Sequence, residues 1–451
     1  MLQQHETETS GLGKTIIPRA EHTISRQDIS DNALKVLYRL HKAGYEAYLV
    51  GGGVRDLLLG KKPKDFDVTT NATPEEIKKL FRNCRLIGRR FRLAHILFGR
   101  EIIEVATFRG HHLADDNQQN HLQSEQGMLL RDNVYGTLDE DAERRDFTIN
   151  ALYYNIADFS IVDFAGGLND IQDRCLSLIG DPDVRYHEDP VRMLRAVRFA
   201  VKLGFDITES ASAPIPKLAG LLRDIPAARL FEECLKLFLA GQGKLTFLKL
   251  RDYGLLFPLF PQLKQIVDDD THNQALTFIC MALESTDSRV RHEQRVTPAF
   301  IFAAILWPVL EIRIQEVLTE LSLPYSDACS LAVNQVLDKQ CKSVAIPRRF
   351  TNAIREIWEL QNRLSRRQGK RAQRSFEHPR FRAAFDFLEL RAKASGDQQL
   401  TELAQWWQRF QNVNEKERFV MTKALGNNRP YRKRKPRRKP KSSAESSHQD
   451  F

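Results

Sequence analysis

Between residues 30 and 165 the spacing of apolar residues alternates between helical and strand-like periods. Asp31 to Lys42 is apolar along one helical face and is closed by Gly44, which predicts an amphipathic helix. Tyr48-Leu49-Val50 is a short apolar run bounded by glycines and predicts a buried strand. Val54 to Leu59 is apolar enough to open a helix. Asp65-Phe-Asp-Val-Thr-Thr70 alternates with a period of two and predicts a strand. Thr73-Pro74-Glu75-Glu76 predicts an N-cap followed by proline in the first helical position. Arg85–Gly88, His95–Phe98 and Ile102–Phe108 predict further strands. Residues 111–127 are rich in Asn, Gln, His and Asp and read as a mobile loop, with His111 and His112 on its surface.

From Asp170 onwards the strand signals fade and helical spacing takes over. The segment after Asp189 has an apolar stripe, Val191, Leu194, Val197 and Val201, with Asp189 as N-cap and Pro190 next. Arg192, Arg195 and Arg198 flank that stripe. They fit either a solvated face or, beside Glu188-Asp189, a surface that reads a base or phosphates. Beyond residue 240 the helical pattern breaks at Gly241–Gly243, Asp268–Asp270, Pro298 and Pro324. The most apolar run, Ala299 to Trp307, is too short to span a bilayer and ends at Pro308. A basic patch, Arg363 to Arg374, precedes Phe376, Phe381, Phe385 and Phe387, which read as helical core rather than as base-stacking rings.

The candidate chemistry sits where Leu49-Val-Gly-Gly-Gly-Val-Arg-Asp56 is followed, after a basic loop, by Asp65-Phe-Asp67. Gly51, Gly52 and Gly53 let backbone N–H groups approach phosphates without a Cβ in the way. Arg55 offers a forked cation to phosphate oxygens. The period of two puts Asp65 and Asp67 on one face and turns Phe66 to the core. Two close carboxylates repel unless a cation lies between them, and hard oxygen donors suit Mg²⁺. Each feature alone is common in turns; the spacing G-x-G-x-x-G of a dinucleotide site is missing. Together they point to nucleotidyl transfer. Glu104 fits either a third metal-site acid or an edge-strand surface carboxylate.

Composition adds a polyanionic partner. The 451 residues carry a net charge of +10, with 42% hydrophobic and 28% charged residues, and a pI near 9.2; nucleic acid is the first candidate. Nine Lys or Arg, three Pro and no acid lie between Arg429 and Lys441. Such a tail builds no packed core and suits either phosphate contact or solubility. The six cysteines are scattered without C-x-x-C pairs, so neither a zinc site nor a disulfide framework is expected. The polar N-terminus holds no apolar signal core, and the chain is expected to be cytoplasmic.

These residues resemble the bacterial poly(A) polymerase and tRNA nucleotidyltransferase (CCA-adding) superfamily. Leu49–Asp56 with Asp65-Phe-Asp67 is similar to its catalytic head, and Arg144-Arg-Asp-Phe-Thr-Ile-Asn-Ala151 to its sugar- and phosphate-contacting motif. Gly166-Gly167 with Asp170 is similar to its flexible link to the neck, and Glu188-Asp-Pro-Val-Arg192 to its base-reading helix. The resemblance covers roughly residues 30 to 260 in motif order. It implies an α+β fold: a nucleotidyltransferase head followed by all-helical neck, body and leg regions. The expected division is a polar segment 1–29, head 30–165, neck 166–240, body 241–360, basic RNA-binding region 361–427 and basic tail 428–451.

By the same resemblance, Asp65 and Asp67 bind two Mg²⁺ ions, with Glu104 a possible third acid, and Asp146 is catalytically required. Arg145, Arg192 and Arg195 hold the nucleotide, Gly52, Gly53 and Arg55 its phosphates, and Asp189 and Arg192 present hydrogen-bonding edges to adenine. The segment Leu86 to His95 and the basic tail resemble the polymerase branch, for which His95 is either core or a direct participant. The expected activity is template-independent transfer of AMP from ATP to RNA 3′ ends, with RNA gripped by the basic C-terminal region and tail. The alternatives are a CCA-adding enzyme and a non-catalytic RNA-binding adaptor. No protein partner is legible.

Overall fold

The structure, a computed structural model, describes residues 13–88, 92–110, 121–123, 129–132, 134–267 and 273–425. His111, His112, residues 89–91 of the segment before His95, and the basic tail therefore lie outside the described residues. The chain divides into two compact units, Met1–Ile354 and Arg355–Phe451.

The first unit begins with an eight-stranded sheet. Its strands are β1 (Thr15–Ile17), β2 (Ala47–Val50), β3 (Asp67–Thr70), β4 (Cys84–Ile87), β5 (Leu93–Phe98), β6 (Glu101–Thr107), β9 (Leu152–Asn155) and β10 (Ile161–Asp163), with β7 (His121–Gln123) and β8 (Leu129–Asp132) forming a separate pair. The order is β1-β10-β9-β2-β3-β6-β5-β4. Neighbours run antiparallel except β3 and β6, which are parallel. Two expectations change here. The head reaches back into the polar N-terminal segment, since Thr15–Ile17 pairs with β10. The stretch read as a loop over 111–127 contains a strand at His121–Gln123.

Local chemistry explains the helices on this sheet. Ser30 accepts the Ala33 N–H at 3.1 Å and starts α1 (Asp31–Lys42), whose Ala33, Val36, Leu37 and Leu40 are buried. The helix α2 is Gly52–Leu58, and α3 is Pro74–Leu80 with a Thr73/Glu76 capping box and Pro74 at its start. One sheet face packs Leu49, Val68, Ile96, Ile103 and Val105 against the apolar residues of α1 and α3. The other face packs Tyr48, Val50, Tyr153 and Phe108 with Leu138 and Ala142 of α4 (Leu138–Glu143).

Among the described residues the remainder of the unit is helical apart from the two-residue strands β11 (Cys175–Leu176) and β12 (Asp206–Ile207), which pair with each other. The helices α5 (Gly167–Asp173), α6 (Pro182–Glu188) and α7 (Val191–Leu203) follow the sheet in the chain. The junction at α5, expected to be a flexible link, is tightly built instead. Gly166 is left-handed at φ 76°, and a Cβ on Gly167 would lie 2.3 Å from the Thr148 carbonyl oxygen. The Asp163 carboxylate accepts the Gly167 and Leu168 N–H groups at 3.1 and 3.0 Å, and Asp170 accepts the Thr148 hydroxyl.

Beyond α7, rings of Phe231, Phe238, Phe247, Phe260 and Phe302 meet in a helical core. The break expected at Pro298 is where the helix Pro298–Leu321 starts, and that helix continues through Pro308. Pro308 is buried, and packing on all sides offsets the missing N–H. Among the described residues no helix is long and apolar enough to cross a membrane. In the second unit Phe381, Phe385 and Phe387 are at most 5% exposed, and Phe376 packs against the cluster that Phe381 and Phe385 share with Trp407 and Phe410, so these rings are core.

Candidate active site

Sheet register lines up the candidate residues. Tyr153 of β9 is opposite Val50 of β2, Val50 opposite Asp67 of β3, Asp67 beside Glu104 of β6, and Glu104 opposite His95 of β5. Directly paired residues share a face, so this row lies on the face away from the α1 core. β6 is an interior strand between β3 and β5, which rules out the edge-strand reading of Glu104. Asp65 is exposed and precedes the strand, while Phe66 is 7% exposed and packs in the core as the alternation requires.

The electrostatics identify the centre of the row. Burial pushes the Asp67 carboxyl up, Glu104 and Asp65 add to the rise, Arg145 opposes it, and the result is about 6. A partly desolvated carboxylate between two like charges is a site that a cation would relieve. Asp65, Asp67 and Glu104 are hard oxygen donors and fit Mg²⁺. Among the described residues no three such side chains already close on one point, as expected of repelling carboxylates. His95 Nε2 lies 3.2 Å from Glu104 Oε1 without hydrogen-bond geometry.

The glycine turn lies beside this row. Gly51 holds φ 74° between β2 and α2, which a side chain would disfavour, and a Cβ there would come 3.7 Å from Arg145 Nη1. α2 has only seven residues, so little anion attraction comes from its dipole and side chains must supply the rest. Arg55 does not fit the expected phosphate contact. It is 2% exposed, and its guanidinium donates to Asp56 Oδ1 at 2.6 and 2.9 Å and to Asn150 Oδ1 at 2.6 Å. It ties α2 to the chain before β9.

Arg145 is better placed. Its Nε donates to the Tyr153 hydroxyl at 2.8 Å and to Asp141 Oδ2 at 3.1 Å, and Nη2 donates to the same oxygen at 3.0 Å. The guanidinium lies over the Tyr153 ring, 5.2 Å from its centroid. Burial lowers its pKa, but Tyr153 and Asp141 outweigh burial and keep it charged. Sequence reasoning missed Asp141 and Tyr153. The spacing of four between Asp141 and Arg145 was the available signal.

Asp146 has its own set of partners. Its Oδ2 accepts Arg195 Nε and Nη2 at 2.6 and 2.5 Å, and Oδ1 accepts the Phe147 N–H and Asn150 Nδ2 at 2.9 and 3.2 Å. Burial pushes this carboxyl up, yet Arg195 and these hydrogen bonds hold it down at about 2. Asp146 thus orients Arg195, and it is Glu104 that stands with Asp67.

The arginines of α7 are not a solvated face. Arg192 is 9% exposed, and its Nη1 donates to Glu188 Oε2 and the Arg185 carbonyl, both at 2.7 Å. Arg195, Arg198 and Arg55 gather around the Phe199 ring at 5.2, 4.6 and 5.3 Å. Asp189 ends α6; its Oδ1 accepts the Val191 N–H at 3.3 Å and its Oδ2 accepts Arg229 at 2.7 Å. Arg229 also went unnoticed in the sequence, forty residues from its partner.

Comparison with known proteins gives the site its context. Family models match residues 47–177 (Poly A polymerase head domain), 204–267 (Probable RNA and SrmB- binding site of polymerase A) and 322–441 (Polymerase A arginine-rich C-terminus). A poly(A) polymerase I from Salmonella typhimurium is 58% identical over 425 residues, 94% of this chain and 91% of the relative. A CCA-adding enzyme from Lactobacillus helveticus is 35% identical over 272 residues, 58% of this chain and 66% of that enzyme. A solved tRNA-processing enzyme in an apo form aligns over 90% of this chain and 99% of its own, with a TM-score of 0.61 and 21% identity, which shows a shared fold.

Proposed function

The chain belongs to the poly(A) polymerase family, and from that premise we propose how it extends RNA 3′ ends with adenylate. It is a nucleotidyltransferase, a polynucleotide adenylyltransferase that works without a template. The observation that carries the mechanism is the Asp67–Glu104 register beside Asp65, with Arg145 held next to the Gly51 turn.

AMP passes from ATP to the RNA 3′-hydroxyl by a single in-line displacement. The bond from O3′ to the α-phosphorus forms as the bond from that phosphorus to the bridging oxygen breaks, and pyrophosphate leaves. Asp65, Asp67 and Glu104 would hold two magnesium ions, which when bound lower the pKa of the attacking hydroxyl and balance the charge of the departing pyrophosphate. Gly52 and Gly53 leave the turn bare so that phosphates can approach the backbone. Arg145, fixed by Asp141 and Tyr153, presents charge beside that turn. Arg195 is aimed by Asp146, while Asp189 and Arg192 offer the adenine edge a donor and acceptor pattern. A rigid protein template of this kind explains base choice without a nucleic-acid template.

RNA is the partner class that the matched RNA-binding and arginine-rich regions support. The tail Arg429–Lys441 suits contact with phosphates of any sequence. A CCA-adding activity shares the head, but the CCA-adding relative matches less of the chain at lower identity. The intact carboxylate row argues against a non-catalytic adaptor.

The test uses purified protein, Mg²⁺, an RNA with a single-stranded 3′ tail, and each nucleoside triphosphate separately. Long extension with ATP and little with CTP is the expected result. A defined C-C-A end, or no extension with any nucleotide, contradicts the proposal.

A further inference from the structure

Arg185 of α6 stands outside every motif discussed above, yet it touches both halves of the nucleotide site. Its Nη2 donates to the Arg144 carbonyl at 2.9 Å and the Arg145 carbonyl at 2.5 Å. Its Nη1 donates to Glu188 Oε2 at 2.7 Å. That same carboxylate oxygen accepts Arg192 Nη1 at 2.7 Å, and Arg192 Nη1 returns a hydrogen bond to the Arg185 carbonyl at 2.7 Å. We propose that Arg185 is a positioning residue that locks the base-reading Arg192 to the phosphate-side Arg145, so that nucleotide selectivity depends on it.

The chemistry favours coupling over simple support. A planar guanidinium can serve two carbonyls and one carboxylate at once, whereas an ammonium cannot match that fork. Glu188 is shared by two arginines, so a shift of either is felt by the other. Burial and Arg192 hold the Arg185 pKa down to about 10 against the pull of Glu188. Arg185 Nε is buried with no hydrogen-bond partner among the described residues, a cost that a residue free to settle for packing alone would avoid. The loop it grips is also held by backbone, the Ile179 N–H donating to the Asp146 carbonyl at 3.0 Å and the Thr148 N–H to the Ser177 carbonyl at 3.1 Å, and by the Arg195–Asp146 and Thr148–Asp170 side-chain contacts. Arg185 thus adds to a fixed loop a side-chain link that reaches the base-reading residue.

The inference rests on the proposed base-reading role of Arg192, and the experiment separates the two. kcat and KM are measured for ATP and for CTP in the wild type, Arg185→Gln, Arg185→Lys, Arg192→Ala and the double variant Arg185→Gln/Arg192→Ala, with thermal midpoints alongside. Arg185→Gln is expected to reduce the preference for ATP over CTP by about ten-fold. Arg185→Lys keeps the charge but not the fork and should recover little of the loss. The double variant should lose no more selectivity than Arg192→Ala alone, because both act through one arrangement. Equal loss of kcat/KM for both nucleotides in Arg185→Gln and Arg185→Lys, with lowered midpoints, overturns the proposal and leaves a structural clamp. Wild-type preference in Arg192→Ala overturns the base-reading role, and with it the route proposed for Arg185.

Discussion

Replacing Asp146 by Asn tests whether this carboxylate orients Arg195 or belongs with the metal-binding acids. In the folded protein Asp146 is held at about 2, against an ordinary value of 3.8, because Arg195 and the hydrogen bonds from Asn150 Nδ2 and the Phe147 N–H outweigh its burial. At about 1.36 kcal/mol per pKa unit, that depression corresponds to roughly 2 kcal/mol of stability at neutral pH. The side chain is 12% exposed, so solvent screening removes little of it. A depressed folded-state pKa stabilises the protein above the unfolded value near 4, and the contribution fades as pH falls from about 4 to 2. Urea unfolding of wild type and Asp146→Asn should therefore differ by about 2 kcal/mol at pH 7 and converge towards pH 2. In turnover assays the variant should show a raised KM for ATP with unchanged dependence on Mg²⁺ concentration. Equal stability at pH 7 would refute the ion-pair reasoning. A shift in Mg²⁺ dependence would place Asp146 among the metal ligands and refute the assignment of Glu104.

Three further outcomes follow from the same geometry. Glu104→Gln should weaken the apparent Mg²⁺ affinity in a turnover titration by at least about ten-fold while leaving the thermal midpoint near wild type, because Glu104 is half-exposed and makes no core contact. Gly167→Ala should destabilise the protein by roughly 1–3 kcal/mol in urea unfolding, since its Cβ would have to displace the Thr148 carbonyl 2.3 Å away. Deleting residues 428–451 should flatten the salt dependence of RNA affinity, by about 0.7 in slope for each phosphate that the tail neutralises, and leave turnover at saturating RNA unchanged.

Local signals carried much of the fold. The capping box at Thr73, the stripe of α1 and the strand through Asp67 are written in neighbouring residues; the first two appear as read, and the strand begins at Asp67 rather than Asp65. The pairing of Asp67 with Glu104 could not be read, because it depends on β3 and β6 meeting in parallel across more than thirty residues. The partners that define each arginine were equally hidden: Tyr153 and Asp141 for Arg145, Arg229 for Asp189 and Asn150 for Arg55. Arg55 shows the cost of judging a charge by its motif alone. Beside three glycines it looks like a phosphate ligand, yet two acceptors and a phenylalanine ring bury it. Gly167 differs from its reading for a related reason, since tertiary packing outweighs the local tendency of glycine to loosen a junction.

The most direct measurement is single-turnover addition of AMP to a tailed RNA by Asp67→Asn, with RNA affinity determined on the same preparation. Asn nearly preserves the shape of Asp67 beside Glu104 and removes its charge. Loss of a central metal ligand should cost several kcal/mol at the transition state, on the order of a thousand-fold in rate, with RNA affinity within about two-fold of wild type. Near-normal addition of AMP by Asp67→Asn in the presence of Mg²⁺ would contradict the carboxylate row as the site of nucleotidyl transfer.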